Sequence, residues 1–237
     1  MPGRLICLIA LTFTFGAASG AAWADDIGKP PPVCRPKNWN EVESWRDWAS
    51  HTPVDNTAKW AEEKQRWMNN RDVWRWLDKL FIAVEGGKVV TLTDCPFGDE
   101  MYVYLYDHYD EAGGFHLVQT LFYEDHLYTL VMRKTGRLID LPGRPIWSPD
   151  KARFAYGVCD LLNGKDNLAI LRSTGEGVKA ELETTIPCGL GDCQLAWESP
   201  TALTATCLKS GDQGNERKRV RYTRQADKWA ATTTALK

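Results

Sequence analysis

The sequence has few of the motifs that name a reaction. It contains no G-x-S-x-G, H-E-x-x-H, G-x-x-x-x-G-K or G-x-G-x-x-G pattern. These patterns mark serine hydrolases, zinc peptidases, phosphate-binding loops and dinucleotide folds. Histidine is also scarce, with four residues in the whole chain. The absences favour a non-catalytic protein, and they give no reason to expect a cofactor.

The composition lacks the features of nucleic-acid-binding and disordered proteins. The 237 residues include 29 Lys and Arg against 31 Asp and Glu, a net charge of −2. A nucleic-acid-binding domain is typically strongly basic, so no nucleic-acid partner is expected. Disorder is disfavoured by an apolar content of 43% and by 11 tryptophans. The length fits one domain, with or without a helical annex.

The first 24 residues are typical of a cleavable export signal. Arg4 precedes an apolar stretch over 5–15, and small residues follow as far as Ala22-Trp23-Ala24. A stretch of about 11 apolar residues is too short to span a bilayer. We therefore predict a signal peptide at 1–24, a periplasmic or secreted location, and no membrane span after cleavage.

Cleavage would leave an even number of cysteines in an oxidising compartment, which predicts disulfides. The remaining six are Cys34, Cys95, Cys159, Cys188, Cys193 and Cys207. Six cysteines allow 15 pairings, and the sequence leaves them open. The segment between Cys188 and Cys193 turns easily, which favours a bond between these two. Cys159 and Cys207 lie late in two similar strand segments, which favours a second pair. Elimination then leaves Cys34–Cys95.

Tryptophan is concentrated in one part of the chain, since seven of the 11 lie between residues 39 and 76. Trp60, Trp67 and Trp74 are spaced by seven, which would place them on one stripe of an unbroken helix. We predict a Trp-rich helical segment over 25–87, followed by a β domain over 88–237. The stripe is either a platform for an envelope polymer or partner, or the cover of the β domain.

The β domain carries a local resemblance to a known repeat. Its runs of β-branched and aromatic residues, separated by Gly- and Asp-rich turns, predict an antiparallel meander. Residues 138–156, LIDLPGRPIWSPDKARFAY, resemble the WD40-like repeat of bacterial periplasmic β-propellers, with Lys151 where that repeat usually has Gly. A second copy, LAWESP over 195–200, places Trp197 50 residues after Trp147. The resemblance spans 138–207 and implies a partner-docking scaffold of blade-like sheets.

The length limits the number of blades. A closed propeller needs at least about four blades of about 40–45 residues, so residues 88–237 hold three at most. The predicted fold is therefore mainly β, with a short α-helical N-terminal segment. Its antiparallel meander of blade-like sheets is expected to be open or sandwich-like.

His108, His116 and Asp110 form a candidate metal site. If the hairpin around 110–114 pairs residue 108 with residue 116, both histidines and Asp110 share one face. Two imidazoles and a carboxylate can bind copper, zinc or iron. A one-residue slip in register would separate the histidines and remove the site.

The basic run over 217–224 has two interpretations. An edge strand protected by charge is favoured over a surface for an anionic envelope polymer.

These features favour an exported, disulfide-stabilised, non-catalytic binding or protein-interaction module. The expected partner is an envelope protein or polymer, and an oligomer is compatible with the sequence. One alternative is a metal-binding protein that uses the site above. Another is a hydrolase of an envelope polymer, which needs two carboxyl groups about 5 or 6.5–9.5 Å apart.

Overall fold

The structure is a computed structural model. It describes residues 56–76, 78–95, 102–122, 125–159, 166–186, 191–209 and 216–236. The predicted signal peptide, Cys34, Cys188 and the side chain of Trp60 lie outside the described part. Within that part, no helix combines the length and the apolar character needed to cross a membrane.

The described chain begins with a single α-helix, α1, which spans Asn56–Met68. The prediction that the helical segment continues to residue 87 is wrong, because two antiparallel strands follow the helix. Leu80, Ile82 and Val84 are buried while the residues between them are partly exposed. This alternation fits a strand that packs one face on a core, and it outweighs the seven-residue spacing of the tryptophans.

Four antiparallel sheets follow one another along the chain, and each is a meander of consecutive strands. The first sheet contains β1 Val73–Trp76, β2 Lys79–Val84 and β3 Lys88–Thr93, and the second contains β4 Tyr102–Asp110, β5 Phe115–Phe122, β6 His126–Met132 and β7 Leu138–Leu141. The third contains β8 Ile146–Trp147, β9 Phe154–Cys159, β10 Asp166–Ser173 and β11 Val178–Thr185. The fourth contains β12 Gly191–Ser199, β13 Ala202–Lys209, β14 Glu216–Gln225 and β15 Lys228–Leu236.

The predicted fold class is confirmed, since the described chain is mainly β with one short helix on its N-terminal side and no sheet closed into a barrel. The number of sheets differs from the expectation because strands begin at Val73 rather than near residue 88. The last three sheets begin at residues 102, 146 and 191, so that their first strands start 44 and 45 residues apart.

Consecutive sheets pack face to face over apolar cores. Val118 of the second sheet packs towards the first, and its neighbour Leu117 packs towards the third. Ala169 and Ile170 of the third sheet likewise face the second and the fourth. In the described ranges each core cluster joins neighbouring sheets, and none joins the fourth sheet to the first. The sheets therefore form an open array with two end faces.

Trp147 and Trp197 occupy equivalent places in this array. Each lies in the first strand of its sheet and points towards the preceding sheet. The Trp147 ring lies 6.1 Å from that of Phe115, and its Nε1 donates a hydrogen bond to Asp110. The Trp197 Nε1 donates to the carbonyl of Ile146 at 3.1 Å. The tryptophans of the Trp-Ser-Pro pattern at 147–149 and of the Trp-Glu-Ser-Pro pattern at 197–200 thus have the same packing role.

Lys151, in the turn after Trp147, has a left-handed backbone with φ 55°. A side chain with a Cβ costs about 1 kcal/mol in this conformation, whereas glycine adopts it freely. We expect Lys151→Gly to raise the free energy of unfolding by about 0.5–1 kcal/mol in a denaturant titration, because it relieves this strain. Lys151→Ala, which keeps the Cβ, serves as the control, and an equal effect of both substitutions would contradict the explanation.

One disulfide links neighbouring sheets. Cys159, at the end of β9, is bonded to Cys193 on β12, with their Cα atoms 5.6 Å apart. The predicted pairs Cys188–Cys193 and Cys159–Cys207 are therefore wrong. Cys193 lies directly opposite Cys207 in the fourth sheet, so both point at the third sheet, and spacing along the chain cannot tell which of them reaches Cys159.

Two further cysteines, Cys95 and Cys207, are also disulfide-bonded. Cys34, the predicted partner of Cys95, lies outside the described residues, so this third pair stays a prediction.

Candidate functional site

The candidate metal site is not formed, because a β-bulge separates its histidines. The register of β4 and β5 shifts between Tyr106 and His108, so that His108 lies opposite Leu117 and His116 lies opposite Tyr109. The His116 side chain is buried towards the first sheet, whereas that of His108 is 46% exposed on the other face. Among the described residues, no group of three or more His, Cys, Asp and Glu side chains is arranged to hold a metal ion.

His116 belongs to the core between the first two sheets. Its Nδ1 lies 3.2 Å from the hydroxyl of Tyr106, which in turn accepts a hydrogen bond from Asn70 at 2.7 Å. The ring of Tyr109 covers it at 4.8 Å. Burial lowers the pKa of His116 to about 4, so its imidazole is neutral at neutral pH. These contacts give it a packing role.

His108 instead bridges two carboxylates at the bulge. Its Nδ1 lies 3.6 Å from Asp107 and its Nε2 lies 3.8 Å from Asp110. The nearby carboxylates of Asp107 and Asp110 favour the protonated imidazole and raise the pKa of His108 to about 9. Burial opposes ionisation of the two carboxyls, but the contact with His108 prevails and lowers the pKa of both. Arg144 also binds Asp107, at 2.6 Å. Both carboxylates are therefore ionised and neutralised by cations.

A buried ionic cluster attaches the first sheet to the second. Arg75 on β1 donates two hydrogen bonds to Glu63 of α1, at 3.0 and 3.2 Å, and one to Asp94, which follows β3, at 2.7 Å. The side chains of Glu63, Arg75 and Asp94 are 2%, 9% and 3% exposed. We refer to these three residues as the Glu63–Arg75–Asp94 cluster.

The same cluster completes the free edge of the second sheet. In the described chain β4 is an edge strand, and apart from a bridge between Tyr102 and Cys95 no strand pairs with its outward N–H groups. Glu63 accepts a hydrogen bond from the Tyr106 N–H at 3.0 Å, and Asp94 accepts one from the Tyr104 N–H at 2.9 Å. Arg75 donates to the carbonyl of Tyr104. Burial, the largest influence, raises the pKa of Asp94 to about 7, and the nearby Glu63 adds to the rise while Arg75 opposes it. This is the expected result when two buried carboxyls share one guanidinium.

The outer face of the first sheet is aromatic and exposed. The strand register places Trp74, Trp76, Phe81 and Val89 on the side opposite the core. Trp74, Trp76 and Val89 are 40%, 70% and 47% exposed, and they are three of the five exposed large apolar side chains in the described chain. The Trp74 and Phe81 rings stack with centroids 5.3 Å apart and planes 8° from parallel. We call these four residues the aromatic face.

The two ends of the array differ in character. The outer face of the fourth sheet carries threonine and charged side chains, as a terminal sheet in contact with water requires. The first sheet instead presents aromatic side chains at its end, where no further sheet of the described chain packs on it. Contiguous exposed apolar groups of this kind mark interaction sites.

The predicted tryptophan stripe is divided between two environments. Trp67 lies on α1 and is partly buried against the core between the first and second sheets, whereas Trp74 lies on β1 in the aromatic face. The structure therefore brings Trp74 together with Trp76 rather than with Trp67. Trp74 and Trp76 are two residues apart, which is typical of side chains on one face of a strand. This signal for β1 was obscured by the seven-residue spacing of the other tryptophans.

No family model, curated protein or solved structure matches the chain.

Proposed function

We propose that the protein is an exported, disulfide-stabilised, non-catalytic module that binds a protein partner through its aromatic face. The observation that carries the proposal is Trp76, 70% exposed beside the stacked Trp74 and Phe81 on the open end of a sheet array. Tryptophan is the residue most enriched among binding hot spots, because it combines a large apolar area with few rotamers to immobilise.

The chemistry of the face favours a protein partner over an envelope polymer. Its described polar side chains, Lys79, Thr91 and Thr93, lie around an apolar centre, and the face carries no carboxylate. This arrangement of a hydrophobic centre and a polar rim is that of protein–protein interfaces. A polysaccharide would instead need hydrogen-bonding groups among the aromatic rings for its hydroxyl groups.

Export and the relation to WD40-like repeats are supported by separate features. The signal-like residues 1–24 and the disulfide-bonded cysteines are consistent with an oxidising compartment. The equivalent packing of Trp147 and Trp197, 50 residues apart, supports the propeller-type repeat. By analogy with scaffolds of this class, such a repeat is consistent with docking a partner.

The hydrolase alternative lacks a suitable acid at the clusters described above. Asp107 and Asp110 have lowered pKa values, which do not suit a general acid at neutral pH. Asp94 has a raised pKa, but its side chain is 3% exposed and is hydrogen-bonded to Arg75.

The proposal can be tested by site-specific photocrosslinking in the cell that produces the full chain. A photoreactive phenylalanine analogue at position 76 is expected to crosslink one protein, which mass spectrometry identifies. With that protein purified, Trp76→Ala should weaken binding by about 30-fold, the effect of a hot-spot truncation of about 2 kcal/mol.

The matched control is Phe122, an exposed aromatic residue of the second sheet that is 39% exposed. The analogue at position 122 should not give the same crosslink, and Phe122→Ala should bind within twofold of the unsubstituted chain. Crosslinking at position 76 only to this chain itself, or to a polysaccharide, would contradict a protein partner.

A further inference from the structure

The basic run over 217–224 does not protect a sheet edge. It forms β14, which lies between β13 and β15 inside the fourth sheet, so the edge-strand interpretation of its charges is wrong. Interior strands need no charged side chains to prevent strand addition, because both of their edges are already paired. The arginines of β14 therefore require a different explanation.

Three of these arginines form a row on the outer face of the sheet. Arg217, Arg219 and Arg221 occupy alternate positions and are exposed. Alternate residues of a strand are about 6.6–6.8 Å apart, so the row has a regular spacing. On the neighbouring strands Arg219 and Arg221 are paired with threonines, whereas Arg217 is paired with Leu208 and Leu236. The four threonines are Thr204, Thr206, Thr232 and Thr234. We call the three residues the arginine row.

The positive charge of the row is only partly neutralised. Glu198 binds Arg221 at 2.7 Å and accepts a hydrogen bond from Thr204. The charge of Arg219 also acts on Glu198 without a direct ion pair, and Arg217 forms no ion pair with any residue that the structure describes. Three neighbouring like charges repel one another, and the packing of the sheet does not require arginine at these exposed positions.

We propose that the arginine row binds a linear acidic polysaccharide through its carboxylate groups. Arginine pairs with carboxylates through two parallel hydrogen bonds, and the row offers such contacts at a regular interval along an extended chain. The flanking threonines can hydrogen-bond the hydroxyl groups of the same sugar chain. Since the chain as a whole carries a net charge of −2, this attraction is local to the face.

The same face is poorly suited to two other anionic partners. Its described side chains include no aromatic residue, because Tyr222 and Trp229 point inward to the core. Single-stranded nucleic acids bind on stacking aromatic side chains, which the face does not provide. In the described strands, Leu208 and Leu236 at one end of the row are the large apolar residues that the register places on this face, which is less than the continuous apolar face with which surface-bound proteins insert into a membrane.

The proposal is tested with polygalacturonate as the probe and the full chain as it is exported. Titration calorimetry at low salt should show binding that is lost at about 0.5 M NaCl, where charges are screened within a few ångströms. The Arg217→Gln/Arg219→Gln variant should bind at least about tenfold more weakly, whereas Arg217→Lys/Arg219→Lys, which keeps the charge, should bind more tightly than the glutamine variant.

The matched control, Lys88→Gln/Lys179→Gln, removes the same charge from exposed residues of the first and third sheets. It should bind polygalacturonate like the unsubstituted chain. Equal weakening in the control variant, no binding of polygalacturonate, or tighter binding to anionic lipid vesicles or to oligothymidylate would each overturn the proposal. Because the arginine row and the aromatic face lie on different sheets, the arginine variants should leave the crosslink at position 76 unchanged.

Discussion

Replacement of Arg75 by methionine is expected to lower the free energy of unfolding by about 3–5 kcal/mol. The substitution removes the only described cation that contacts both Glu63 and Asp94 in the Glu63–Arg75–Asp94 cluster. Two carboxyls that are 2% and 3% exposed would remain without a partner charge in a region of low dielectric. The loss would also free the carbonyl of Tyr104 at the edge of the second sheet.

Denaturant unfolding at neutral pH, followed by tryptophan fluorescence, measures this effect. Arg71→Met provides the control, because Arg71 is an exposed arginine close to Arg75 in sequence. Exposed substitutions of this kind usually change stability by less than about 0.5 kcal/mol. If the two variants were equally stable, the cluster would not be the connection between the first two sheets that we describe.

The second large effect is expected from the Cys159–Cys193 disulfide. The two cysteines are 34 residues apart in sequence. Closing a loop of this length lowers the entropy of the unfolded chain, which raises the free energy of unfolding by about 3–4 kcal/mol. The Cys159→Ala/Cys193→Ala variant should lose stability of this order in denaturant unfolding, since no other described disulfide joins the third and fourth sheets.

Mass spectrometry of unreduced peptides of the unsubstituted chain provides the independent check on this bond. It should yield a peptide pair joined through Cys159 and Cys193. A Cys159–Cys207 peptide pair would show that the pairing is different, and a stability loss below about 1 kcal/mol would show that the bond restrains little.

The sequence predicts the β domain well because strand alternation and turn residues are local signals. The meander over the second sheet follows from runs such as 127–132, whose ends carry turn residues. β3 falls within the predicted β domain, but β1 and β2 of the first sheet are missed. The seven-residue spacing of Trp60, Trp67 and Trp74 also fits a helix, and β1 has only four residues. Short strands of this kind depend on their partners in the sheet for stability.

The candidate sites depend on relations that no local pattern reports. The extra residue at the bulge before His108 reverses its face relative to His116, and no glycine or proline in β4 marks the position of the bulge. The disulfide pairing depends on which sheets stack together. The aromatic face and the arginine row become visible only when the order of sheets shows which faces lie at the ends of the array and which strands lie inside a sheet.

The central claim is that the aromatic face binds a partner, and hydroxyl-radical footprinting of the full chain tests it most directly. In the isolated protein, Trp76 should be oxidised much faster than Trp147, which packs between two sheets. In the cells that produce the chain the oxidation of Trp76 should fall severalfold, while that of the exposed Phe122 stays unchanged. Equal oxidation of Trp76 in both samples, or protection already present in the isolated chain, would contradict the account.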